Sequence, residues 1–171
     1  DSLNLGDHVG DDPADVRANR AVLGQALGAR PVFLQQVHGT RVQALDAATA
    51  DGVQADACLA TQPGVACTIM VADCLPVLFT HTQGTVVAAA HAGWRGLACE
   101  LIARTVAAFD APPSALHAWL GPAIGAAAYA VGDDLRTRFV ALGQLATLLA
   151  PATSGQPATL DEPTTRALLA I

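Results

Sequence analysis

The chain has 171 residues, is 52% hydrophobic and 14% charged, and carries a net charge of −6. That length and apolar content suit one compact domain with a sizeable core, and exclude a disordered or fibrous chain. An acidic chain with 9 Lys and Arg repels a phosphate backbone, which argues against nucleic acid as a partner. No apolar run approaches the ~20 residues of a membrane span.

The opening "DSLNLGDHVGDDP" is acidic and polar, without the pattern of a signal peptide. A helix is expected over "DDPADVRANRAVLGQALG", with Asp12 as its cap, Pro13 in its first turn and Gly28 closing it. Val16, Leu23 and Leu27 share one face, which leaves Arg17 and Arg20 nearer solvent. "PVFLQQVHG" reads as a strand ending at His38, and "RVQALD" as another after a turn at Gly39. "QADACLA", "GVACTIMVADC", "PVLFT" and "TVVAAAHA" follow as short apolar strands. Pro76 cannot donate to a ladder, so Cys74 and Leu75 are expected at a strand end or bulge. "HTQG" reads as a hairpin turn with His81 at the surface. "GLACELIARTVAAF" has apolar residues at 97, 101, 102, 106 and 109, the spacing of a half-buried helix. "ALHAWLGPAIG" returns as a strand into a Gly-Pro loop, and a last helix is expected over residues 133–149. Strands apolar throughout are buried on both faces, so the fold class is α+β: a single domain of mixed β-sheets covered by helices.

The four cysteines form no C-x-x-C pair. Cys58, Cys67 and Cys99 read as small buried hydrophobes, and reduced thiols imply a cytoplasmic location. Cys74 belongs to another pattern. His38, Cys74 and His91 each close an apolar run and precede a Gly, Pro or small-residue turn, where a sheet delivers side chains into a crevice. Two imidazoles and a thiolate suit zinc with a fourth position open, and their separations are too long for a zinc finger. The same trio also reads as a nucleophile, Cys74, with His38 or His91 as base and Asp73 or Asp56 as orienter. "HAGWRG" runs from a strand into a helix start. Its backbone N–H groups around Gly93 and Gly96, with Arg95 beside them, form a candidate phosphate site. Trp94 reads either as a wall for a stacked base or as a core plug.

"SLNLG", "HVGDDP", "NR", "QVHG", "ADC" with "PVLF", "HAGWRG" and "GPAIG" occur in that order. In this the chain resembles the YfiH-like family, whose members are also called laccase-domain proteins, multicopper polyphenol oxidoreductases or zinc-dependent purine nucleoside phosphorylases. The resemblance implies that His38, Cys74 and His91 bind the metal and take part in catalysis. It implies phosphorolysis of adenosine, inosine and methylthioadenosine, with some deamination of adenosine, so that a nucleoside and phosphate are the partners. It leaves three rivals: an amidase editing peptidoglycan precursors through the same Cys and His residues, a copper-dependent polyphenol oxidase, and a structural zinc module with Cys67 or His8 as fourth ligand. The oxidase fits the composition poorly, since several copper ions need many more ligands than five His with no His-x-His pair. The expected domain spans residues 1–171 without the family's N-terminal strand and aromatic C-terminal segment.

Overall fold

The protein is described by a computed structural model covering residues 3–125 and, beyond them, 128, 129, 132, 133, 135 and 137. Helix α1, Pro13–Leu27, starts and stops where the capping residues predict. The Asp12 side chain accepts from Ala14 N, and Gly28 closes the helix in the left-handed conformation at φ 61°. Its apolar face is narrower than expected: Val16 is buried, Leu23 half-buried, and Leu27 exposed. Arg20 is turned inward rather than toward solvent. Its guanidinium stacks 4.0 Å over the Phe33 ring and its Nε donates to Leu5 O at 2.8 Å. Asn19 Nδ2 donates to Asn4 O at 2.9 Å, so the "NR" pair on α1 fastens the "SLNLG" segment to the domain.

Five strands form the main sheet: β2 (Val42–Leu45), β3 (Ala57–Ala60), β5 (Leu75–His81), β6 (Val87–Ala92) and β7 (Leu116–Leu120). Their order is β2-β3-β6-β5-β7, with β2 and β3 parallel and the other neighbours antiparallel. A second, two-stranded parallel sheet pairs β1 (Arg30–Val32) with β4 (Val65–Cys67). Alternation along the strands divides the core in two. Ala57, Leu59, Val77, Phe79, Ala88 and Ala90 pack with Leu101, Val106 and Phe109. Cys58, Ala60 and Ala89 point the other way, against Val32, Leu34 and Val65. One face is thus covered by helix as expected, the other by the small sheet and the loop after β1. All four residues of β3 are buried, which explains its continuous apolar run.

Three expected elements differ. The helix predicted over "GLACELIARTVAAF" is two: α2 (Trp94–Ala98) and α3 (Leu101–Ala107), separated by Glu100 at φ 66°. The predicted apolar face survives the break, with Leu101, Val106 and Phe109 buried. "PVFLQQVHG" and "GVACTIMVADC" are strands only over Arg30–Val32 and Val65–Cys67. Phe33 O and the backbone of Gln35 still bond to the backbone of residues 52–55, and beyond them side chains take over. The Gln36 amide donates to Met70 O at 2.7 Å and accepts from Met70 N at 2.8 Å, joining the two loops as a ladder would. Pro76 is tolerated inside β5 because it lies opposite His91, whose N–H is directed to Asp56 O, while Pro76 O accepts from Gly121 N.

The hairpin turn forms with Gly84 at φ 69°, and His81 lies half-buried at its base. Asp133, Leu135 and Thr137 are helical; the remainder of the helix expected over 133–149 lies outside the described residues. Among the described residues no helix is long and apolar enough to cross a membrane.

Candidate metal centre

His38, Cys74 and His91 come together at the end of the main sheet where β6 finishes and β5 begins. His91 is the penultimate residue of β6 and is buried. Its position is fixed by the ladder: its N–H donates to Asp56 O at 2.7 Å, and Pro76 of β5 is its cross-strand partner. Cys74 was expected to close a strand and instead immediately precedes β5. His38 is not on a strand either. It sits in a loop at φ 58°, a conformation that non-glycine residues seldom adopt. The backbone there has another partner, since Val37, His38 and Gly39 all donate their N–H groups to the Asp56 carboxylate.

One ligand atom from each of the three residues lies within 4.8 Å of the others. Cys74 Sγ is 3.8 Å from His38 Nε2, and the two imidazole rings meet edge to face with centroids 4.6 Å apart. A thiolate and an imidazole nitrogen bound to one tetrahedral zinc stand roughly 3.6 Å apart, so the spacing fits that ion. His91 Nδ1 is 3.0 Å from Asp56 Oδ1, the carboxylate–imidazole pairing that orients metal-ligating histidines. Gly93 completes the cradle. A Cβ there would stand 2.9 Å from Cys74 Sγ and 3.0 Å from His38 Cδ2, so only glycine leaves room for the three side chains.

Although His38 is exposed overall, partial desolvation of its ring, helped by the neighbouring His91, holds its pKa below the usual value, which keeps a lone pair available for a metal. The Cys74 thiol is pushed up by burial and by the negative charges of Asp73 and Asp56. A free thiol in that field stays protonated, which counts against Cys74 as an activated nucleophile. For Asp56 burial acts upward, but hydrogen bonds from His91, Gly39, Val37 and His38 outweigh it and hold the carboxyl below its usual range.

A cavity of about 190 Å³ opens beside the trio, lined in part by Asp73, Cys74, Gly93, Trp94, Leu97 and Ile124. Arg95 is exposed on α2, with its guanidinium 4.7 Å over the Trp94 ring. Gly96 is buried, packed so tightly that a Cβ would stand 3.1 Å from Leu101 and 3.4 Å from Gly39 O. Neither suggested fourth ligand joins the cluster. His8 is exposed beside Asp7, and Cys67 packs in the other half of the core with Sγ 3.7 Å from Val87 O. The residue whose part the sequence understated is Asp56, read there only as one of two orienters for a nucleophile. Its signal was an acid placed directly before a fully apolar strand.

Residues 1–169 match the family described as multi-copper polyphenol oxidoreductase laccase. The chain belongs to that family. It is 53% identical over 141 residues to the purine nucleoside phosphorylase PA4543 of Pseudomonas aeruginosa, an alignment covering 82% of this chain and 57% of the relative. It is 49% identical over 144 residues to the purine nucleoside phosphorylase YfiH of Escherichia coli K12, covering 83% of this chain and 59% of that one. The chain therefore spans less than two thirds of these curated relatives. Among solved structures it resembles Neisseria meningitidis NMB0706 at a TM-score of 0.85 and 43% identity, covering 98% of this chain and 70% of that one.

Proposed function

We propose that this chain carries the metal site of a zinc-dependent purine nucleoside phosphorylase acting on adenosine, inosine and methylthioadenosine, with adenosine deaminase activity. The observation that carries the reading is the convergence of His38, Cys74 and His91 within 4.8 Å beside a cavity. The names of the relatives at 53% and 49% identity support the phosphorylase over the oxidase. So does the ligand set, one cluster of three among the described residues in a chain with five His. Zinc, when bound, supplies a Lewis acid and lowers the pKa of water toward ~7.

The chain's own residues then have distinct tasks. Trp94 and Leu97 line the cavity and offer apolar walls for a purine, keeping water from the glycosidic bond. In phosphorolysis an oxygen of hydrogen phosphate forms the new bond to C1′, the bond to the base nitrogen breaks, and the proton that the phosphate gives up ends on the departing base as the sugar 1-phosphate forms. Arg95 is assigned to the phosphate together with backbone at the start of α2; the N–H of Gly93 itself is donated to His91 O at 3.0 Å and is not among the donors. The exposure of Arg95 and its charge, felt at His38, support that assignment. Gly96 is buried against Leu101 and Gly39 O, which lets α2 pack closely on the loop that carries His38. A cytoplasmic location accompanies the reading, supported by four free thiols.

The test is to incubate zinc-loaded protein with inosine, with and without phosphate, beside a Cys74→Ala control. Phosphate-dependent hypoxanthine and ribose 1-phosphate that disappear in the variant are expected. A folded, zinc-occupied protein that yields no product under either condition would overturn the assignment.

A further inference from the structure

Asp56 is fully buried, and a charge in such a place is costly unless its lone pairs find donors. Four donors converge on it. Val37 N and Gly39 N lie 3.1 and 2.7 Å from Oδ2, while His38 N and His91 Nδ1 lie 2.8 and 3.0 Å from Oδ1. Three of the four are backbone N–H groups, which can only donate, and their number favours the ionised form. An ionised carboxylate is acceptor only. His91 must therefore carry its proton on Nδ1, and Nε2 is left as the ring atom with a lone pair for a metal.

The same carboxylate acts on the second histidine by another route. Consecutive N–H groups of Val37, His38 and Gly39 can converge on one anion because His38 takes a left-handed conformation, the concave arrangement that binds anions elsewhere. Here the anion is internal. It holds the loop at the position that brings His38 Nε2 to 3.8 Å from Cys74 Sγ.

We propose that Asp56 is the positioning residue of the metal site, one carboxylate that fixes the tautomer of His91 and the loop conformation of His38 together. The proposal rests on His38, Cys74 and His91 being metal ligands. Asparagine is nearly the same size yet cannot substitute. With its NH₂ at the Oδ2 position it meets two N–H donors. At the Oδ1 position it meets the His38 N–H and donates to His91 Nδ1, which moves the ring proton to Nε2 and removes the ligand lone pair.

The first measurement needs no variant: a long-range ¹H–¹⁵N spectrum of the histidine rings in metal-free wild-type protein. His91 is expected to be protonated at Nδ1 and unprotonated at Nε2; the opposite tautomer overturns the proposal even if no variant folds. The second is zinc affinity by chelator competition for wild type and Asp56→Asn, with circular dichroism confirming the fold. A loss of about 10- to 100-fold is expected, together with a His91 ring protonated at Nε2. A folded Asp56→Asn protein that binds zinc as tightly as wild type overturns the proposal. If wild type itself binds no zinc, the metal reading fails at its root, which is a different result from wild type and variant binding alike.

Discussion

His91 and His38 stand 4.6 Å apart, ring to ring, yet they are held by different physics. His91 is buried on a strand whose ladder sets its backbone, with neighbours on both sides of β6. His38 is exposed on a loop in an unfavourable backbone conformation, six residues beyond the end of β1, and is held by hydrogen bonds to one carboxylate. A metal site needs ligands from several parts of the chain placed with little slack, and a sheet alone supplies them only along its own strands. The buried Asp56 extends the sheet's precision to a segment that is not part of it.

The contrast can be broken most severely from beneath the sheet. Leu101 has no exposed surface and packs under β3, β5 and β6. Leu101→Ala should cost about 2–5 kcal/mol in denaturant unfolding while leaving the zinc affinity of the folded fraction unchanged. If zinc affinity fell in step with stability, the site and the core would not be separable. His91→Ala should lose zinc and also destabilise the metal-free protein by about 1.5–3 kcal/mol, since a hydrogen bond to a buried carboxylate goes with it. Gly93→Ala places a methyl 2.9 Å from Cys74 Sγ. A weakening of zinc binding by about tenfold or more is expected by chelator competition, with the melting temperature of metal-free protein nearly unchanged.

The smallest effect sharpens the comparison most. His38→Gly should abolish zinc binding as fully as His91→Ala, yet leave the metal-free protein as stable or more stable by up to about 1 kcal/mol. Glycine adopts φ 58° without the strain a side chain brings. A large destabilisation in His38→Gly would mean that the imidazole, not the carboxylate, organises the loop.

Much of this was legible in the residues. Asp12 and Gly28 bounded α1, continuous apolar runs placed β3 and β6 in the interior, and the spacing after position 97 gave the buried face of α3. In the sequence the trio reads as three strand ends. The structure brings the three residues together, although His91 alone lies within a strand. The reason for the difference is long-range. Apolar runs 31–38 and 64–74 look like strands, but their later backbone groups bond to the side chains of Asp56 and Gln36, which no local period reveals. Arg20 misled in the same way, because stacking on Phe33 and donating to Leu5 O are contacts made across the fold.

The most direct test of the metal centre is X-ray absorption at the zinc edge of the loaded wild-type protein, compared with Cys74→Ala. One zinc per chain with a single sulfur neighbour at about 2.3 Å and imidazole nitrogens at about 2.0 Å is the predicted shell, lost in the variant. A folded wild-type protein whose zinc has no sulfur neighbour, or which takes up no zinc, would contradict it.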